Sequence, residues 1–181
     1  MGKTERASAA REAVRVLARK WGMLWDVPAS WIEAFCVVES SCRPDVSNTN
    51  ERASKVGGAW GLMQITGDTS PTLARLAYQR QAIAPAPELQ TALAKWRPDP
   101  RCLLDADLCV CLGAAYLAKL AREFTELPAV AAAYHQGPGR VRRHLREGKV
   151  IPGDLPPLGR VYVSRLVTTA DDIRRAEELT S

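Results

Sequence analysis

Glu39 closes an apolar run in FCVVESSCRP (residues 35–44), and a carboxylate among Phe35, Val37 and Val38 is an unusual use of hydrophobic sequence. Burial removes hydration from the charged form and lifts a carboxyl pKa. An acid that keeps its proton near neutrality is what general acid catalysis needs. At a helix end the same residue can also turn to solvent or cap the next loop, and this stretch alone leaves both readings open. Two more patches exceed the needs of packing. In GGAWGLMQIT (57–66) three glycines surround Trp60 and precede Met63 and Gln64. Glycines let backbone approach a ligand closely, and an amide in an apolar segment can orient a ligand's polar groups. The plainer alternative is a tight turn feeding a core helix. In AAAYHQGPG (131–139) small residues lead to Tyr134, His135 and Gln136, immediately before a Gly-Pro-Gly turn.

Helices have to position these groups. In ASAAREAVRVLARKWG the apolar residues Ala10, Ala13, Val14, Leu17, Ala18 and Trp21 recur at helical spacing, with Gly22 as a stop. Pro28 suits a first helical position, and PASWIEAFCVVES is apolar nearly all round, which predicts a buried helix with Glu39 in its last turn. Residues 44–56 read as a loop. Helical patterns follow from Pro71 to Ile83, in APAPELQTALAKW, and from an Asp105 or Asp107 cap to about Phe124. LPAVAAAYHQ reads as a short helix ended by Gly137 and Gly139, and a last helix starts after Pro156 and Pro157. No strand pattern of convincing length appears, so the expected fold is mostly α.

The 181 residues suit one domain, with 46% hydrophobic and 25% charged residues excluding disorder. A net charge of +5 favours a negatively charged partner. The arginine stripes, Arg11, Arg15, Arg19 with Lys20 and Arg140, Arg142, Arg143 with Arg146, lack interleaved aromatics and read as solvated helix faces. Nucleic acid is therefore not expected as a partner. Five cysteines and two histidines show no zinc-ligand spacing. Cys36, Cys109 and Cys111 read as core residues, and Cys42 with Cys102 is a candidate disulfide for an oxidising compartment. No run is long and apolar enough for a secretory signal or a membrane span.

Glu39-Ser40 with Pro44, then Gly61-Leu62-Met63-Gln64, then Ala133-Tyr134 with Gly137 and Gly139, then Tyr162-Val163, together resemble the soluble lytic transglycosylase family, which shares a fold with goose-type lysozyme. The resemblance spans about Trp21 to Val167, with LLDADLCVCLGAAYLAKL similar to the family's structural helix. It implies an all-α, lysozyme-like single globular domain over 1–181: an N-terminal helix (1–24), a catalytic core (25–168) and the end of a C-terminal helix (169–181). It also implies cleavage of the MurNAc-GlcNAc β-1,4 bond of peptidoglycan with formation of 1,6-anhydro-MurNAc ends, without metal or cofactor. Glu39 would be the single acid and base. Ser54, Gly61, Met63, Gln64, Tyr134, His135, Gln136 and Tyr162 would bind substrate.

His135 stands where the family usually has Asn, and one extra residue separates Ser54 from Gly61. Asp45 and Asp68 are loop carboxylates that could serve a hydrolytic water but read as turn or cap residues. The same motifs fit two alternatives: a hydrolytic lysozyme of this fold, and a non-catalytic wall-binding or virion structural protein. The expected partner is the peptidoglycan glycan strand, with no membrane insertion. Synthesis in the cytoplasm without a signal peptide would require another carrier to the cell wall, a virion or a secretion or pilus apparatus.

Overall fold

The computed structural model describes residues 2–180. Helix α1 (Lys3–Trp25) buries Val14, Ala18, Trp21 and Trp25 along one face. It runs through Gly22, which is therefore no stop; a Cβ there would lie 2.6 Å from the Val27 carbonyl, so the glycine admits the returning chain. The helix ends where Asp26 turns left-handed. Pro28 caps α2 (Ala29–Ser40), whose Ile32, Phe35 and Cys36 are wholly enclosed.

The arginines of α1 do not form a merely solvated face. Arg11 and Arg15 converge on Glu33 of α2, an acid only 1% exposed, at 3.1 and 3.4 Å. Lys20 meets Asp107 at 2.7 Å and Arg19 meets Glu177 at 3.3 Å.

The loop after α2 holds more order than its composition suggests. Strands β1 (Ser47–Asn48), β2 (Ala59–Trp60) and β3 (Ile65–Thr66) form a small antiparallel sheet in the order β1-β2-β3, with Ser47 opposite Trp60 and Trp60 opposite Ile65. The short helix α3 (Glu51–Ser54) lies between β1 and β2. Two-residue strands are too short to show an alternating pattern, so period-based reading passes over them.

Helices α4 (Ser70–Ile83) and α5 (Pro87–Leu93) lead through a 3-10 turn (Pro100–Leu104) to α6 (Ala106–Ala121). Asp105 caps α6 by accepting from the Leu108 N–H at 2.9 Å. Leu108 to Ala115 are all buried, and α6 packs against α1, α2, α4, α5 and α7. It is the central post of one hydrophobic core that extends from Val14 on α1 to Ile173 on α9. Helix α7 (Leu127–Gln136) stops at Gly137, but Gly139 lies inside α8 (Pro138–Arg146), a helix that the glycine pair concealed. Pro138 suits the first turn of α8, where a missing N–H costs nothing. Helix α9 (Pro157–Glu178) packs on α2 and α7.

All five cysteines are free thiols, which corrects the Cys42–Cys102 pairing. Cys42 is buried just after α2, whereas the Cys102 Sγ lies 3.4 Å from the Arg97 carbonyl in the 3-10 region. Among the described residues no helix is long and apolar enough to cross a membrane.

Candidate active site

Glu39 sits in the last turn of α2, and the way that helix ends fixes its position. Ser41 and Cys42 are both left-handed, at φ 54° and 60°. Their N–H groups donate to the Val37 and Cys36 carbonyls at 3.0 and 3.1 Å, while the Ser40 hydroxyl donates to Cys36 at 2.9 Å. Non-glycine residues held left-handed are strained and persist only where neighbouring bonds enforce them. The chain thus stops abruptly, leaving Glu39 at the mouth of a cavity.

That cavity, about 370 Å³, is lined by Val38, His135, Leu158, Val161, Tyr162 and Arg165 beside Glu39. Leu158 and Val161 are 78% and 66% exposed, an apolar wall open to solvent. Tyr162 donates its hydroxyl to Glu39 Oε1 at 2.5 Å. The His135 ring stacks on Tyr162, with centroids 4.3 Å apart and 15° between planes. Burial pushes the Glu39 carboxyl from 4.5 to about 7, against the opposing pull of the Tyr162 hydrogen bond and the Arg165 charge. Burial and the Glu39 charge push the Tyr162 phenol well above its ordinary range, so it remains a donor. Glu39 is the sole carboxylate among the described residues lining this cavity.

The GLMQ segment is a tight turn that locks the small sheet to the helices. Gly61 has φ 70°, and a Cβ there would lie 2.1 Å from the Leu103 carbonyl. Gln64 is also left-handed, at φ 46°, and its amide nitrogen donates to the Gly61 and Val46 carbonyls at 3.0 and 3.1 Å. Met63 is 0% exposed, its sulfur lodged over Gly113. Its side chain is closed to any ligand. Its backbone carbonyl accepts the Tyr134 hydroxyl at 2.7 Å, which ties the turn to α7. Tyr134 in turn packs against Phe35 and Tyr116, with ring centroids 4.6 and 5.2 Å apart.

Gln64 and Tyr134 line a second cavity, of about 280 Å³, with Thr66, Thr69 and Tyr116. Gln136 lines a third, of about 270 Å³, with His135, Arg140 and Leu158, and among the described residues its buried Oε1 has no hydrogen-bond partner. Leu158 and His135 belong to this cavity and to the Glu39 cavity alike.

The structure therefore gathers Glu39, His135 and Tyr162 at one cavity, with Gln136 at its neighbour. Ser54 stands apart, exposed on α3 with its hydroxyl donated to the Thr49 carbonyl at 2.7 Å. Asp45 and Asp68 are exposed and line none of these cavities. Sequence reading missed Arg165 and the wall formed by Val38, Leu158 and Val161. Arg165 carried a signal, since it falls three residues after Tyr162 and so shares its helix face.

An all-α, lysozyme-like fold with one half-buried glutamate held by a tyrosine defines the class of protein. Residues 17–151 match the model of the transglycosylase SLT domain. Solved structures similar to this chain include two of lytic transglycosylases. One is an inactive glutamate-to-glutamine mutant of the lytic transglycosylase Slt from Pseudomonas aeruginosa, at 24% identity and TM-score 0.60, covering 86% of this chain and 23% of that one. The other is the 70 kDa soluble lytic transglycosylase of Escherichia coli, at 25% identity and TM-score 0.60, covering 85% of this chain and 23% of that one. No curated protein matches the chain. The chain belongs to the transglycosylase SLT domain family, and spans about a quarter of the length of the solved enzymes it matches.

Proposed function

We propose that the chain is a peptidoglycan lytic transglycosylase with Glu39 as its single acid and base. The observation that carries this reading is Glu39 itself, facing an apolar-walled cavity and keeping its proton up to about pH 7. Tyr162 occupies Oε1, which leaves the proton on Oε2 for the substrate. Glu39 gives that proton to the glycosidic oxygen as the bond from MurNAc C1 breaks and the GlcNAc 4-hydroxyl departs. The MurNAc N-acetyl oxygen stabilises the cation-like carbon. Deprotonated Glu39 then takes the proton of the same sugar's 6-hydroxyl, whose oxygen closes on C1. The 1,6-anhydro ring forms and Glu39 is again protonated.

Glycosidases of the two-carboxylate kind need a second acid as nucleophile or base. The cavity around Glu39 offers none among its described residues, which favours the substrate's own groups in that role. With substrate seated against them, Val38, Leu158 and Val161 keep water from that side of the cation. Gln64, Tyr134, His135, Gln136 and Tyr162 contribute along the groove. Gly61 and Met63 act by shaping the turn, and Ser54, set apart on α3, acts on its own loop through the Thr49 carbonyl.

Digestion of isolated sacculi followed by mass spectrometry tests the reading. Muropeptides lighter by one water than hydrolytic products support it; reducing ends throughout would assign a lysozyme instead. Glu39→Gln is expected to bind sacculi without clearing them. A wild-type protein that never clears a suspension would leave only a wall-binding role.

A further inference from the structure

A slot of about 220 Å³ lies on the far stretch of the α4–α6 seam, lined by Trp25, Leu73, Leu76, Ala115 and Ala118. Its rim carries Arg75, Lys119 and Arg122. Among the described residues no acid lines it, and none of these three side chains has an ion pair or hydrogen bond. Arg11, Lys20 and Arg19 on α1, by contrast, pair with acids of α2, α6 and α9. An apolar floor under three unpaired positive charges fits a ligand that is aliphatic and anionic.

The slot lies along the two helices that also border the Gln64 cavity. Thr69, just before α4, and Tyr116 on α6 line the cavity that holds Gln64 and Tyr134. Thr72 and Arg75, and Lys119 and Arg122, lie one and two turns further along the same two helices. At ~1.5 Å rise per residue the rim cations stand roughly 4–9 Å beyond Tyr116 along α6. An extended peptide of three residues spans about 10 Å.

We propose that this slot binds the peptide arm of peptidoglycan, with an aliphatic side chain on the Leu73–Leu76–Ala118 floor and carboxylates on Arg75, Lys119 and Arg122. The assignment rests on the reading that the glycan lies in the groove. Glycan strands without their arms carry neither the aliphatic groups nor the density of carboxylates that the slot matches, so the site reads the substituent and not the sugar.

The test uses a triple variant, Arg75→Gln, Lys119→Gln and Arg122→Gln, in the full chain. All three positions are exposed, and its melting temperature is expected to match wild type. A synthetic stem peptide titrated into wild type should shift the backbone amide signals of Leu73, Leu76, Ala115 and Ala118, with at least about tenfold weaker binding to the variant. On intact sacculi the variant's KM should rise about tenfold with kcat unchanged, and on glycan stripped of its arms by an amidase the two proteins should behave alike. Absence of shifts at saturating peptide overturns the proposal, as does an equal loss on intact and stripped glycan. If neither substrate is cleaved, the enzymatic reading fails, and the peptide titration still decides the slot.

Discussion

Tyr162 on α9 donates to Glu39 on α2 at 2.5 Å, across 123 residues of sequence. The bond crosses the α2–α9 interface and sets which carboxyl oxygen is free. His135 of α7, which lines the same cavity, stacks on the Tyr162 ring. Three helices thus converge on one proton.

The first consequence is a pH dependence. The acid step needs protonated Glu39, so kcat/KM should fall about tenfold per pH unit above pH about 7. Stability follows with a definite sign. Between pH 4.5 and about 7 the folded protein holds a proton that the unfolded chain has released, so stability declines as pH rises through that window and levels off above it. Glu39→Gln removes this cost. It should be inactive yet more stable at pH 8, by up to about 3 kcal/mol, and equal to wild type near pH 4. Thermal unfolding of both proteins at the two pH values measures it; equal curves at pH 8 would mean that Glu39 is not desolvated.

Tyr162→Phe keeps the ring against His135 and removes only the hydroxyl. The lost hydrogen bond had lowered the Glu39 pKa, so the alkaline limb should move upward from about 7. A hydrogen bond to a charged carboxylate contributes about 1.5–3 kcal/mol, so kcat should fall roughly tenfold to hundredfold. A pH–rate profile separates the two effects. A lower rate with an unmoved limb would leave Tyr162 a packing residue.

Most of the helical frame was legible because long apolar periodicities report burial directly, as in α1, α2 and α6. Glu39's place in the last turn of α2 followed from Pro28 and the length of the apolar run. The rest was concealed where one residue serves two purposes. Gly22 and Gly139 look like stops, yet one makes room for the Val27 carbonyl and the other sits within α8. Met63 looked like a groove residue, yet it is enclosed over Gly113, and Gln64 both lines a cavity and holds its own turn through its amide nitrogen. A motif's residue types do not distinguish a side chain that meets a ligand from one that shapes the wall. Glu33 gave no signal at all, because its arginine partners lie a helix away.

Gly61 and Gly113 should respond differently to alanine although both are crowded. At Gly61 a Cβ would meet the backbone carbonyl of Leu103 at 2.1 Å, and φ 70° is unfavourable for any side chain. Gly61→Ala is expected to cost more than about 3 kcal/mol. At Gly113 the nearest atom is the Met63 sulfur at 2.1 Å, the far part of a flexible chain. Gly113→Ala should cost about 1–3 kcal/mol, with partial rescue by Met63→Ala. Chemical denaturation of the two single variants and the double gives the comparison; equal costs would contradict the distinction between a fixed carbonyl and a mobile thioether.

Glu33 supplies the last prediction. It is 1% exposed and accepts from Arg11 and Arg15, which are themselves 49% and 32% exposed. Removing one member of a buried ion pair costs about 3–5 kcal/mol when the orphaned charge stays buried. Here both guanidinium groups retain water, so Glu33→Gln should cost less, about 1–2 kcal/mol, chiefly through weakened charge-assisted hydrogen bonds between α1 and α2. The loss should change little with added salt, because the carboxylate is shielded from ions. Unfolding titrations of Glu33→Gln, Arg11→Gln with Arg15→Gln, and the triple variant should show strong non-additivity, since all three residues form one network. Strict additivity would mean that Glu33 is held by packing alone.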